Sequence, residues 1–204
     1  MAVLPEPNAP LIGRIEQDRA TRSSTPSTSR ITRLPGTAPV AVGETVAVTV
    51  TVIAMTPSHP GFGRVAALFD EYRNHYRRLP SPHATQAWLL DQLTQQRMSL
   101  AAAVSDADQF CGFITTTVMP ASLMLGTAWS IRDLYVAPGY RRAGIAGRLL
   151  QHTVDNARAA GALRVSLQTE TDNAPALTLY STAGFQPVNG LKLLNLTLIP
   201  EETA

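Results

Sequence analysis

Among the 17 Lys and Arg of this 204-residue chain, Lys192 alone is a lysine. The dominance of arginine is what GC-rich coding favours and points to a GC-rich bacterium; selection for phosphate recognition is the alternative. There is one cysteine, Cys111, so no disulfide framework exists. Cys111 lies in an apolar run with no local His or Asn to activate it, which fits a buried packing residue better than a nucleophile. The four histidines, His59, His75, His83 and His152, are dispersed and show no metal-ligand spacing, so no metal is expected. No apolar run approaches the ~18 residues of a membrane span. The N-terminus lacks the basic-then-apolar pattern of a signal peptide, and the cytoplasm is the expected compartment. A formal charge of +2 is too weak to argue for nucleic acid as a partner. What is present is a chain 45% hydrophobic and 16% charged, the composition of one compact domain with a tail.

Residues 1–43 are rich in Pro, Ser, Thr and Arg, as in the run from Thr21 to Arg30. Such a segment buries too little apolar surface to offset its chain entropy, so it reads as a disordered tail. A folded domain is expected over 44–204. Val46, Val48, Val50 and Val52 alternate with small residues, as in a strand. Val65, Leu68, Phe69, Tyr72 and Tyr76 recur at helical spacing, predicting a helix over 62–78 that Pro80 and Pro82 end. A second helix is predicted over 84–97, with Trp88, Leu89 and Leu93 inward. Strands follow at 99–105 and 110–119, joined by a hairpin at 106–109, and a third at 128–136. A long helix is predicted from Gly144 to Ala160, a strand over 163–169, and a helix from Asn173 to Ala183 with Pro175 in its first turn. The pairs 185–188 and 191–199 read as a closing hairpin around Asn189-Gly190. The sum is an α/β (α+β) fold with a mixed, mostly antiparallel central sheet flanked by helices.

The chemistry is concentrated between the third strand and the long helix. There stand Arg141, Arg142, Ala143, Gly144, Ile145, Ala146 and Gly147. Small residues let backbone N–H groups approach a ligand, and a helix N-terminus adds partial positive charge and free donors. Two arginines add full charge, making a pyrophosphate cradle. A P-loop would need Gly-Lys-Ser/Thr, which is absent, and the spacing of a dinucleotide fingerprint fails.

This loop, preceded by Leu134-Tyr135-Val136-Ala137-Pro138-Gly139-Tyr140, resembles the acetyl-CoA loop of the GNAT superfamily of N-acetyltransferases. A second signature also resembles the family, from Asn173 through Ala176 to Tyr180, then Gly184-Phe185. The resemblance covers about residues 46–199. It implies the GNAT fold and an acetyl-CoA-dependent N-acetyltransferase acting by direct amine attack on the thioester. By position, backbone groups of Leu134, Tyr135 and Val136 would hold the pantetheine arm and the thioester, and Arg142 to Gly147 would wrap the pyrophosphate, with Arg141 adding charge beside it. Asn173, with Ala176 beside it, would bond the pantetheine arm. Tyr180 would protonate the departing thiolate; a phenol with pKa about 10 stays protonated at neutral pH and suits that role. Asp133 leads as the base that takes the amine proton, directly or through water, with Glu170 and Asp172 as alternatives; a structural or substrate-binding carboxylate is the competing reading of Asp133. Many members carry Glu where this chain has Gln168, and glutamine cannot be a base. Members often dimerise, so a homodimer is compatible with the resemblance.

The helix run from Phe69 to Tyr76 resembles a branch that includes fungal histone and polyamine acetyltransferases and bacterial relatives. Diamine acetyltransferases have a glutamate where this chain has Arg132, and a cation there would repel a polyamine. Arg132 therefore suggests an acceptor with an anion beside its amine, provided a bulge turns Arg132 and Asp133 to one side; otherwise Arg132 faces solvent. Tyr72 and Tyr76 share a helix face and could line the acceptor pocket or pack in the core. The favoured function is acetylation of a primary amine on a small molecule. A protein or peptide acetyltransferase, a non-catalytic CoA-binding regulator, and nucleic-acid binding through the tail arginines are the competing readings.

Overall fold

The computed structural model describes residues 49–196 and 198. The expected tail, with Val46 and Val48, lies outside the described residues. The described elements, in order, are β1 (Val50–Met55), α1 (Phe62–His75), α2 (Pro82–Thr94), β2 (Ser99–Ser105), β3 (Phe110–Ala121), β4 (Gly126–Val136), α3 (Ile145–Ala159), β5 (Arg164–Ser166) and α4 (Ala174–Thr182). The five strands form one sheet in sequence order. β1 to β4 are antiparallel neighbours, and β5 runs parallel to β4 after the α3 crossover. This is the expected mixed sheet flanked by helices.

Two apolar layers hold the helices to the sheet. On one face Val65, Phe69 and Tyr72 of α1 and Leu89 of α2 pack with Leu100, Phe113 and Tyr135. On the other, Ile145, Leu149 and Leu150 of α3 and Ala176 and Tyr180 of α4 pack with Ile114, Ile131 and Leu134. The amphipathic spacing of α1 and α3 selects those faces. The chain enters α1 tightly: a Cβ on Gly61 would lie 2.3 Å from the Phe110 ring, so only glycine fits. His59 Nδ1 accepts the Gly61 N–H at 3.0 Å in the same turn.

All four helices close the same way. A left-handed residue follows the last turn, and the next N–H reaches back five residues. The bonds are Arg78 N–H to Arg73 O, Arg97 N–H to Gln92 O, Ala162 N–H to Ala157 O and Phe185 N–H to Tyr180 O. The left-handed residues are Arg77, Gln96, Gly161 and Gly184. This ends α1 at His75 and α2 at Thr94, each three residues before the predicted end. Pro82 is the first residue of α2 and not a terminator of α1. Trp88 is 48% exposed, not inward, because α2 packs through Thr85, Leu89 and Leu93 and leaves Trp88 on the rim of a cavity.

Two further expectations are corrected. The strand predicted over 163–169 pairs only at Arg164–Ser166, opposite Ala128–Ser130. Beyond Ser130 the register of β4 on β3 shifts, with Thr116 opposite Ile131 and Thr115 opposite Asp133, so Arg132 is an extra residue. A bulge adds bend and twist, and past it β4 and β5 are no longer paired. The closing hairpin also does not form: Asn189-Gly190 makes a turn, but none of residues 185–196 is in a strand. A two-stranded ribbon needs a sheet edge or core to be stable, and three residues of β5 offer little. Leu191, Leu193, Leu194 and Leu196 are exposed accordingly.

Candidate active site

β4 separates two cavities. The first, about 670 Å³, lies between α1, α2 and the strands, and its lining includes Tyr72, Tyr76, Arg132 and Asp133. The bulge explains how neighbours in one strand share it. Ile131 and Leu134 pack on the α3 face, so Arg132 and Asp133 both turn to the α1 face. The condition attached to Arg132 in the sequence is thus met.

Asp133 is 7% exposed and bound on both oxygens. Tyr72 Oη donates to Oδ1 at 2.9 Å. Thr115 Oγ1, opposite Asp133 in the ladder, donates to Oδ2. Burial pushes the Asp133 carboxyl above the ordinary carboxylate range, while Thr115, Tyr72 and the charge of Arg132 pull it back. Tyr72 is pushed upward by its own burial and then by the Asp133 charge, so it remains a donor. Each carboxylate oxygen keeps acceptor capacity beyond one bond. The result is a buried, oriented carboxylate with raised basicity, facing a cavity.

Asp70 supports this side from below. It is 6% exposed and accepts from Arg73 Nη1 at 2.7 Å, Thr85 Oγ1 at 2.6 Å and the Ser81 N–H at 3.1 Å. It thereby satisfies the start of α2, which has no side-chain cap of its own. The Thr85 bond, outweighing the opposing effect of burial, lowers its pKa, and Ser81 and Arg73 add to the shift. Tyr135 Oη donates to Glu71 Oε1 at 2.8 Å, a second tie from α1 to the sheet.

The second cavity, about 420 Å³, lies on the far side of β4, toward α3 and α4. Its lining includes Leu134, Tyr135 and Val136 of β4 and Arg141, Arg142, Gly144, Ile145, Ala146 and Gly147 of the loop and α3. Arg142 and Gly144 hold φ of +66° and +76°, coiling the loop around Ala143. A Cβ on Gly144 would have open space but a strained φ, so glycine is favoured by conformation and not by crowding. The first i→i−4 bond of α3 is Arg148 N–H to Gly144 O at 3.2 Å, and no side chain caps the helix. The N–H groups of Ile145, Ala146 and Gly147 precede it and point out of the helix end as donors. A concave site with free N–H groups, a helix N-terminus and arginine fits a pyrophosphate. Arg142 is exposed beside it. Arg141 is instead folded back: its Nε donates to Val136 O at 3.0 Å, and its guanidinium lies over the Tyr135 ring. One of the strand carbonyls expected to meet the pantetheine arm is therefore held by Arg141.

α4 meets this cavity through Pro175, Thr178 and Leu179, one helical face that the sequence did not single out. Asn173 and Ala176 lie on the adjacent, buried face. Asn173 Oδ1 accepts the Ala176 N–H at 3.3 Å, capping α4, and its Nδ2 donates to Glu170 Oε2 at 3.4 Å. Tyr180 is 4% exposed and packs with Leu134 and Ile145. Burial pushes its pKa far up, helped by Tyr76 and then Glu170. Its ring packs against walls of the second cavity, and Tyr180 itself lines neither cavity. Among the described residues no acceptor takes the Tyr180 proton. Gln168 and Asp172 are exposed and line neither cavity, and Glu170 joins only through Asn173 and its charge. Thr115 is the functional residue the sequence did not mark, since its role depends on ladder register. Among the described residues no group of three or more His, Cys, Asp or Glu could hold a metal ion.

Comparison with known proteins settles the family. A model of the acetyltransferase (GNAT) family matches residues 65–185. The chain belongs to the GNAT acetyltransferase family. The uncharacterized N-acetyltransferase YhfO of Bacillus subtilis (strain 168) is 31% identical over 126 residues, 62% of this chain and 84% of that protein. The streptothricin acetyltransferase of Streptomyces lavendulae is 41% identical over 63 residues, but these are 29% of this chain and 33% of that one. The crystal structure of a probable acetyltransferase superposes with a TM-score of 0.69 at 30% identity, covering 74% of this chain and 99% of that chain. This GNAT protein is accordingly an N-acetyltransferase. No described helix is long and apolar enough to cross a membrane.

Proposed function

We propose that this GNAT enzyme transfers an acetyl group from acetyl-CoA to the amine of a small molecule by direct attack. The observation that carries the proposal is the pair of cavities on opposite sides of β4, one with an oriented carboxylate and one with a helix N-terminus. Acetyl-CoA supplies the activated thioester. The N–H groups of Ile145, Ala146 and Gly147, with Arg142, bind its pyrophosphate, and the loop coiled by Gly144 holds them in place. Asp133, fixed by Tyr72 and Thr115, accepts the proton of the amine as nitrogen bonds to the acetyl carbon. Tyr180 donates its proton to sulfur as the carbon–sulfur bond breaks. The net proton passes from nitrogen to sulfur, so the step balances.

The same reading assigns the chemistry to a domain of residues 44–204 in a cytoplasmic bacterial enzyme. The Bacillus and Streptomyces relatives and the arginine-rich composition support the bacterial part. The test is CoA-thiol release from acetyl-CoA with a panel of amino acids, polyamines and aminoglycosides. Release with at least one amine, at a rate above hydrolysis, is expected. Acetyl-CoA binding without release for any amine would favour a binding protein.

A further inference from the structure

We propose that the acceptor is an α-amino acid with an apolar side chain, recognised as a zwitterion by Arg132 and Asp133. The inference rests on the acetyl-transfer reading above and adds the substrate class.

The extra residue in β4 sets opposite charges on one face at consecutive positions, whose Cα atoms are about 3.8 Å apart across a trans peptide. An α-amino acid carries opposite charges on a single carbon, so the two pairs are complementary in sign. Arg132 is close enough for its charge to act on the Asp133 carboxyl, yet the two make no ion pair. Three other arginines line the cavity, and all are engaged, Arg78 among them. Arg73 is paired with Asp70 at 2.7 Å, and Arg97 with Asp91 at 2.9 Å. Arg132 has no such partner among the described residues, and a guanidinium forms its strongest bonds with a carboxylate held bidentate. A substrate carboxylate on Arg132 would leave the adjoining amine facing Asp133, the group that must take its proton.

The rest of the cavity asks for an apolar body. Phe69, Trp88 and Met98 line the same space as Arg132. The Trp88 ring lies 5.8 Å from that of Phe69 and remains 48% exposed, an aromatic surface on the rim with solvent on its other side. About 670 Å³ accommodates a side chain as large as an indole. Arg132 acts against a polyamine, because a second cationic group would meet its like charge.

The experiment compares L-tryptophan, L-phenylalanine and L-methionine with tryptamine, phenethylamine and 3-methylthiopropylamine, which lack the carboxylate. The full chain and Arg132→Gln are assayed by CoA-thiol release, and acetyl-CoA binding is followed by calorimetry. In the wild type the amino acids should exceed their decarboxylated partners in kcat/KM by tenfold or more. Arg132→Gln should lower kcat/KM for the amino acids about tenfold more than for the simple amines, with the extra loss in KM. Equal use of both series by the wild type, or an equal loss for both in Arg132→Gln, overturns the proposal. If the variant does not fold, the wild-type ratio decides alone. Acetyl-CoA binding with no release from either series removes the amino-acid assignment while leaving the cofactor site. Failure to bind acetyl-CoA removes the underlying reading as well.

Discussion

The two sides of β4 are built on different principles. On the α1/α2 side the site is made of side chains: Asp133 held by Tyr72 and Thr115, Arg132 displaced by a bulge, and Asp70 tying two helices together. On the α3/α4 side it is made of backbone: a coiled loop, a left-handed glycine and uncapped N–H groups. Backbone donors recognise a feature common to many ligands and need only small residues in the right conformation. Side-chain sites recognise one acceptor and depend on which residues meet across the fold. Under the proposed function, the contrast separates a cofactor side that needs little sequence from an acceptor side that needs particular residues.

The sharpest way to break the comparison is Asp133→Asn. It should reduce kcat/KM by about 10²- to 10⁴-fold, the usual contribution of general-base catalysis. The acetyl-CoA Kd, measured by calorimetry, should stay within about twofold because the change lies on the other side of the strand, less than the 1.4 kcal/mol that a tenfold change would represent.

Asp70→Asn tests whether the side-chain side also carries stability. Replacing a buried, charge-assisted acceptor should cost about 1–3 kcal/mol in urea denaturation at neutral pH. The sign with pH follows from the lowered pKa. Asp70 contributes stability above its unfolded pKa of about 3.9, and that contribution is lost as pH falls through the lower folded value. The difference between wild type and variant should therefore shrink on acidification below about pH 4.

Gly144→Val probes the backbone side. A branched residue at φ +76° is strained by at least about 1–2 kcal/mol, so the free loop relaxes out of its coiled form, and restoring that form on binding costs up to about tenfold in affinity. Acetyl-CoA binding should weaken by that order, read by calorimetry, with KM for the amine unchanged.

How much of this was legible follows the same division. The backbone side was readable because its requirements are local. A glycine-rich loop before a helix, Asn173 with Pro175 at a helix start, and Gly161 and Gly184 after helix ends are contiguous signals, and the structure places them as read. The ends of α1 and α2 were not, because Arg77 and Gln96 take the left-handed position with no glycine to mark it. On the side-chain side, Asp133 and Arg132 could be named but not oriented. Their common face depends on a one-residue register shift against β3, set by pairing across the sheet. Thr115 was invisible for the same reason, and so was the role of Asp70, whose partner Thr85 lies on another helix. The leucines after Asn189-Gly190 alternate as a strand would, yet pattern alone supplies no edge to pair with.

In the proposed reaction the two sides meet at Tyr180, which is buried against Leu134 and Ile145, walls of the second cavity. The most direct test is Tyr180→Phe, with acetyl-CoA Kd and single-turnover rate measured on the same sample. The account predicts a Kd within about twofold of wild type, under the 1.4 kcal/mol of a tenfold change, and a rate lower by about 10²-fold or more. An unchanged rate, or a rate loss matched by an equal loss of acetyl-CoA affinity, would contradict it.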